Sequence, residues 1–342
     1  MPDIGNAKNP GAPIAMINAA VIGLGRWGKS LVTAIQGKSQ KLRFVHGVSK
    51  EPDDVRAFAA QHGFKLTTEL DEAIANPDVQ AVFLATPHSL HVEQVRAVAR
   101  AGKPVWCEKP LALTRAEAAR AVAACREAKV VLGSGNNKRC FASMRELKHL
   151  VESGALGEII HIEAHYSNEH STRTAVGGWR DDPRESPGGG LTGAGLHVLD
   201  ALINLGGPMR SIDAKLYEQK PPPDPRDSLA VLAQFSSGAT GMMATVRAAP
   251  NIWRVHVFGS KGMAEARDED QLTVSMIGGA SPQTHNYEHV DSLKVLVESF
   301  ADAVEGRGPF LVTPDQMVNL IGAFEAIITS LKIGAPAQIP TQ

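Results

Sequence analysis

The stretch Ile17-Asn18-Ala19-Ala20-Val21-Ile22-Gly23-Leu24-Gly25-Arg26-Trp27-Gly28 decides the fold of this chain. A strand-length run passes directly into a G-x-G-x-x-G turn, after which Leu31, Ala34 and Ile35 recur on one side of a helix. In such a turn the first glycine makes the tight bend and the second lets the backbone approach an anion. The third lets helix and strand pack closely. The helix N-terminus adds unpaired N–H groups and a partial positive charge, so the stretch reads as a cradle for a pyrophosphate. With 32 glycines in the chain the spacing alone is weak. Its place after the first strand of a strand-helix alternation gives it force.

That alternation extends to about Gly135. Apolar runs at Ile17–Ile22, Leu42–Val48, Val79–Ala85, Val105–Cys107 and Val130–Leu132 are separated by helical stretches such as Val92–Arg100 and Arg115–Ala128. The latter is opened by Thr114 and Glu117 in capping-box spacing. The expectation is a doubly wound parallel sheet of βαβ units. From about Asn136 the pattern changes to a short helix, Met144–Glu152, and strand-like runs at Ile159–Tyr166, Leu229–Phe235, Ala239–Val246 and Ile252–Phe258. This predicts an α+β domain with a large, mostly antiparallel open sheet. Two helices close the chain, one striped by Leu293, Leu296, Val297, Phe300 and Val304, the other by Met317, Leu320, Ile321, Phe324, Ile327, Ile328 and Leu331. The expected division is a loose extension over 1–15, a dinucleotide-binding domain over 16–136, and a substrate-binding and oligomerisation domain over 137–342 whose last helix can pack back on the first.

Composition narrows the partners. Thirty-five Lys+Arg against 36 Asp+Glu leave a formal net charge of −1, and 43% of residues are hydrophobic. Balanced, scattered charge argues against nucleic acid and anionic membrane as partners, and no apolar run is expected to approach the roughly 20 residues of a transmembrane helix. Cys107, Cys125 and Cys140 lack metal-ligand spacing and read as reduced thiols of a cytoplasmic protein. The pair His161/His165 alternates with Glu163 on one strand face, and no metal site is expected.

At the end of the second strand, where an acidic residue would hold a ribose 2′-hydroxyl, stand Ser49 and Lys50. A hydroxyl followed by a cation suits a 2′-phosphate, which favours NADP(H) over NAD(H). Glu51 beside them keeps open the alternative that Lys50 is a solvated charge. Further along, Ala85-Thr86-Pro87-His88-Ser89-Leu90-His91 and Glu108-Lys109-Pro110 end successive strands at the edge where open α/β sheets place ligands. Trp179-Arg180 follows, and Gly188–Asp200 is a glycine-dense turn entering a helix that carries His197.

This ordered set resembles the Gfo/Idh/MocA family of NAD(P)-dependent oxidoreductases from about Ile17 to Leu331. The resemblance implies a Rossmann domain followed by an α/β domain whose open sheet often forms a dimer interface, and hence a homodimer or homotetramer. It also implies hydride transfer between nicotinamide and the C–OH or C=O of a sugar, polyol or similar cyclic alcohol. Lys109 matches the lysine of the family's E-K-P motif, and a partly desolvated ammonium there can pass a proton or stabilise an alkoxide. His197 matches a histidine that binds substrate and shares in proton transfer. Cofactor contacts are expected from Gly23, Gly25, Arg26, Trp27, Gly28, Ser49, Lys50, Thr86, Pro87, His88, His91, Glu108, Lys109, Trp179 and Arg180. Substrate-facing positions are expected at Arg139, Asn168, His170 and Thr192 besides His197.

Gly193 stands where many members carry an aspartate four residues before this histidine, and Asp200 is placed to orient the imidazole rather than to reach substrate. The absent carboxylate leaves two other readings open, a non-catalytic nucleotide-binding sensor and a glycosidase- or eliminase-like use of tightly held cofactor.

Overall fold

The computed structural model describes residues 16–169, 179–217 and 228–340. The chain divides into two compact units. One takes in the chain up to Leu111, Ala116–Gly135 and Leu293–Pro314; the other comprises Ala112–Arg115, Asn136–Ser292 and the chain from Asp315.

In the first unit the strands are β1 (Ile17–Ile22), β2 (Leu42–Val48), β3 (Lys65–Thr67), β4 (Ala81–Leu84), β5 (Val105–Cys107) and β6 (Leu132–Ser134). Between them run α1 (Arg26–Ile35), α2 (Pro52–His62), α3 (Leu70–Ala75), α4 (His91–Arg100) and α5 (Arg115–Glu127). All pairings are parallel, in the order β3-β2-β1-β4-β5-β6. Strand order reverses between β1 and β4, the switch point at which such sheets bind ligands. β4 and β5 have no exposed residue because helices cover both faces, which is why they read as unbroken apolar runs.

An aromatic cluster fills this unit. Phe83 stacks on Trp106 with centroids 5.3 Å apart, and Phe300 meets both edge-on at 5.5 and 5.8 Å. Phe300 lies on a later helix whose residues from Leu293 pack here. The expectation that everything after residue 136 belongs to the second domain is therefore corrected. The penultimate helix returns to the first unit, while the last helix belongs to the second.

The second unit begins with α6 (Ala142–Glu152), β7 (Ile159–Ser167), α7 (Gly195–Gly206) and β8 (Met209–Tyr217). β9 (Ser228–Phe235), β10 (Thr240–Val246), β11 (Ile252–Gly259), β12 (Gly262–Arg267), β13 (Gln271–Met276) and β14 (Gln283–Asn286) follow. After α8 (Ser292–Val304), which carries Phe300, come α9 (Pro314–Ile333) and β15 (Ala337–Gln338). Nine strands form one sheet, β14-β13-β12-β11-β7-β10-β9-β8-β15, antiparallel except for the parallel pair β7/β10.

One sheet face buries Ile162, Ala164, Val231, Met243, Val255 and Val257 in a core shared with α7 and α9. Period-two alternation puts Leu232, Met242 and Met263 on the opposite face, exposed. α9 starts with Pro314 at its first position, where the missing N–H costs nothing. Contrary to the expectation that no apolar run approaches membrane-spanning length, an 18-residue stretch of this 20-residue helix reaches a mean hydropathy of 1.2. Leu320, Phe324 and Ile327 are nonetheless buried in the core of this unit.

Candidate active site

The glycine turn sits between β1 and α1 in the first unit. Gly23 adopts φ +88°, and a Cβ there would lie 2.7 Å from the Ala85 carbonyl oxygen. A Cβ on Gly28 would run into the carbonyl of Gly23, so only glycine lets the helix approach the turn. Gly25 differs: among the described residues a Cβ on it would meet nothing within 4 Å, so its backbone borders space open to a ligand. Gly25 also caps α1 without a side-chain hydrogen bond, and the first turn holds no acidic residue. The N–H groups of that turn and the helix dipole thus remain for an anion, the arrangement a dinucleotide pyrophosphate requires. Arg26, exposed, adds a cation there.

Two further loops are laced to the same sheet edge. Gly23 N–H donates to Val48 O at 2.9 Å, Ala85 N–H to Ile22 O at 2.8 Å, and Glu108 N–H to Leu84 O at 2.9 Å. These bonds bring the turn, Thr86–His91 and Glu108–Pro110 together at the carboxyl ends of β1, β4 and β5. Thr86 Oγ1 donates to Gln94 Oε1 at 2.6 Å, and Pro87 precedes the single 3₁₀ turn holding His88, which is buried.

Two expected cofactor contacts prove to be braces. His91 is fully buried at the start of α4, with Nδ1 2.7 Å from Pro110 O and Nε2 3.1 Å from Thr86 O. It ties the loop after β4 to the loop after β5 and has no exposed face for a ligand. Glu108 is 5% exposed and its Oε1 accepts from Trp106 Nε1 at 3.1 Å. The Trp27 indole faces the same carboxylate outside hydrogen-bond geometry. Burial pushes the Glu108 carboxyl up, against the indole N–H groups of Trp27 and Trp106 and the Lys109 charge. Gly135, which the sequence did not single out, lies against this carboxylate where any Cβ would collide with it. Lys109, half-buried, stands between these braces, joined to Pro110 by a cis peptide bond.

Ser49 directly follows β2 and is buried, its backbone N–H donating to Thr67 O at 3.1 Å. Lys50 is exposed and its Nζ lies 3.0 Å from Glu69 Oε1, a surface pair worth at most about 1 kcal/mol and easily exchanged.

In the second unit His197 is the third residue of α7 and is 8% exposed. Its ring stands edge to Tyr166 with centroids 6.1 Å apart. Thr192 and Asn168 are also buried, while among the described residues a Cβ on Gly193 would meet Gly190 O at 3.9 Å, an ordinary contact. Arg139 is corrected from substrate contact to strut. Its Nε and Nη2 grip the Asp200 carboxylate at 2.9 and 2.6 Å, both side chains withdrawn from solvent, and Nη1 reaches the half-buried Gln316 Oε1 at 2.8 Å. Asp200 is consequently spent on Arg139 rather than placed to orient His197. Trp179 and Arg180 stack, the guanidinium 4.0 Å from the ring centroid. His170 lies outside the described residues. The outward face of β7 carries His161, bonded to Thr240 Oγ1 at 2.7 Å, and His165, bonded to Ser167 Oγ at 2.6 Å. Sequence reasoning passed over Lys138 and Tyr166, since the rings around that lysine come from segments far apart in the chain.

A parallel sheet with a glycine cradle at its switch point and a lysine loop on the same edge defines a nicotinamide-dinucleotide oxidoreductase of Rossmann type. The family model described as "Oxidoreductase family, NAD-binding Rossmann fold" matches residues 17–136, and that of the GFO/IDH/MocA C-terminal domain matches residues 144–265. The chain belongs to the Gfo/Idh/MocA family. An uncharacterized oxidoreductase of Schizosaccharomyces pombe is 27% identical over 241 residues, covering 68% of this chain but only 65% of that protein's own length. The 1,5-anhydro-D-fructose reductase of Ensifer adhaerens is 28% identical over 298 residues, 83% of this chain and 87% of that enzyme. Among solved structures, levoglucosan dehydrogenase in complex with NADH and levoglucosan superposes with a TM-score of 0.86 at 22% identity, covering 96% of this chain and all of that one, and so shares the fold.

Proposed function

We propose that the protein transfers hydride between a nicotinamide nucleotide and the C–OH or C=O of a sugar, polyol or similar cyclic alcohol. The observation that carries this reading is the bare N-terminus of α1 behind Gly25, open where a pyrophosphate would need N–H donors. Ser49 and Lys50 follow β2 at the place where an acidic residue would hold a ribose 2′-hydroxyl, which supports NADP(H) over NAD(H), because a 2′-phosphate can displace Glu69 from the lysine.

When bound, the nicotinamide supplies the hydride acceptor or donor at its C4. The chain supplies the proton chemistry. Lys109, braced by His91 through Pro110 and by Glu108, takes the hydroxyl proton or stabilises the alkoxide. Within the second unit, His197 with Thr192 and Asn168 offers the polar groups that bind substrate hydroxyls.

Leu232 at 58%, Ile252 at 45% and Met242 at 39% exposure on the open face of the nine-stranded sheet support a homodimer or homotetramer formed there. A cytoplasmic location accords with three buried, unpaired cysteines.

The test is Lys109→Ala. Turnover on a panel of polyols and their ketones falls by about 10³-fold or more, while NADP(H) titration stays within about three-fold of wild type. An unchanged kcat overturns the assignment.

A further inference from the structure

Lys138 lies in the second unit, in the 3₁₀ turn Asn137–Cys140, and no role assigned so far uses it. Its ammonium stands 4.2 Å from the ring centroid of Tyr166, 4.5 Å from that of Phe141 and 5.2 Å from that of Trp253. Three rings around one cation hold it by their negative faces and exclude much of its water. The cage is set by sheet register. Trp253 on β11 pairs directly with Tyr166 on β7, their rings 5.7 Å apart, and Phe141 meets Trp253 edge-on at 5.8 Å.

The cage spends none of the ammonium's hydrogen bonds. Among the described residues no oxygen accepts from Lys138 Nζ, so three N–H donors remain. Two carboxylates act on it through space, and each has its own partner: Asp268 Oδ1 accepts from Trp253 N at 3.4 Å, and Glu269 pairs with His289 at 3.1 Å. One wall of the cage holds a further unspent donor, for Trp253 Nε1 is buried without a partner among the described residues. Lys138 itself is half-buried and thus reachable. Tyr166 has Lys138 over one part of its ring and His197 at its edge, so one aromatic side chain separates the caged cation from the substrate histidine.

A cation stripped of water, held by rings and left with its donors unspent is completed best by an anion with acceptor oxygens. We propose that Lys138 is a specificity-determining residue of the substrate unit, donating from Nζ to a carboxylate of the substrate, so that the preferred sugar or polyol bears an acid group. The proposal rests on the reading that this unit binds a sugar or polyol at His197, and it names the class within it. The ammonium's proton affinity accords with the geometry, burial holding it down at about 8 against the pull of Glu269 and Asp268.

The test is calorimetric titration of the full chain with D-gluconate and D-glucuronate against the uncharged D-glucitol and D-glucose, with and without saturating NADP+. Wild type binds the carboxylates at least about ten-fold more tightly. Lys138→Met removes that margin and Lys138→Arg keeps most of it. Equal affinity for charged and uncharged probes, or a margin that survives Lys138→Met, overturns the proposal. Lysine-labelled NMR on wild type provides a readout independent of any variant's folding: gluconate raises the Lys138 titration midpoint and glucitol leaves it in place, whereas a midpoint unmoved by gluconate overturns the proposal. NADP(H) binding and turnover of uncharged sugars are followed in the same preparations. Loss of both with the carboxylate margin intact overturns the redox reading alone; intact turnover without the margin overturns this assignment alone.

Discussion

Glu108 in the first unit and Lys138 in the second are both ionisable groups withdrawn from water, and burial weakens the charged form of each. The Glu108 carboxyl is pushed up and the Lys138 ammonium is held down at about 8. They differ in how their hydrogen bonds are spent. Glu108 accepts from an indole, lies under a glycine that leaves room for it, and braces the loop carrying Lys109. Lys138 rests on ring faces and keeps its donors. A buried polar group completed by the protein positions its neighbours, whereas one left incomplete is available to a ligand. The first unit spends the Glu108 carboxylate on a fixed cradle, and the second leaves the Lys138 donors unspent one ring away from its histidine.

The largest expected effect comes from breaking a completed group in the second unit. Arg139→Met strands the buried Asp200 carboxylate and lowers unfolding free energy by about 3–5 kcal/mol in urea denaturation; a loss under about 1 kcal/mol would show that Arg139 is not the strut. Next is Gly28→Ala in the first unit. Its Cβ meets the Gly23 carbonyl, so about 1–3 kcal/mol of stability goes together with most nucleotide affinity, read by melting with and without NADPH.

A third prediction contrasts two pH slopes. Because the folded carboxyl of Glu108 is raised, the unfolded chain ionises first and stability falls as pH rises through the window above the usual carboxylate range. Because the folded ammonium of Lys138 is lowered to about 8, the unfolded chain, with an ordinary lysine near 10.5, binds more protons between those values, and stability rises with pH there. Glu108→Gln should flatten the first slope and Lys138→Met the second; the same slope in variant and wild type contradicts the corresponding assignment. The smallest effect on stability is that of Lys50→Ala, within about 0.5 kcal/mol because the pair with Glu69 is exposed. Its signature is an NADP(H) affinity about ten-fold weaker with NAD(H) unchanged.

The contrast also explains what could be read from the sequence. The first unit was legible because its functional residues follow strands in order, so Gly23–Gly28, Thr86–His91 and Glu108–Pro110 arrive at one sheet edge by topology alone. α2 and α3 were passed over because Asp53, Asp54, Asp71 and Glu72 dilute their apolar periodicity. The strands β12 to β14 were missed because several of their residues face solvent and their identity comes from pairing with neighbours. The braces His91 and Glu108 and the strut Arg139 lay within motifs, but a motif does not reveal whether a side chain faces a ligand or a carbonyl. The Lys138 cage was invisible, since Tyr166 and Trp253 meet through the register of β7 and β11 and Phe141 joins them from the turn before α6.

The most direct test of the central claim uses NADPH carrying deuterium at C4 of the nicotinamide, incubated with the protein and a panel of cyclic ketones of sugars and cyclitols. Products are read by mass spectrometry. The account predicts deuterium on the new carbinol carbon, with NADPH consumed in equal amount. Product formed while the label stays on the cofactor, or saturable NADPH binding with no label transferred to any ketone of the panel, would contradict it.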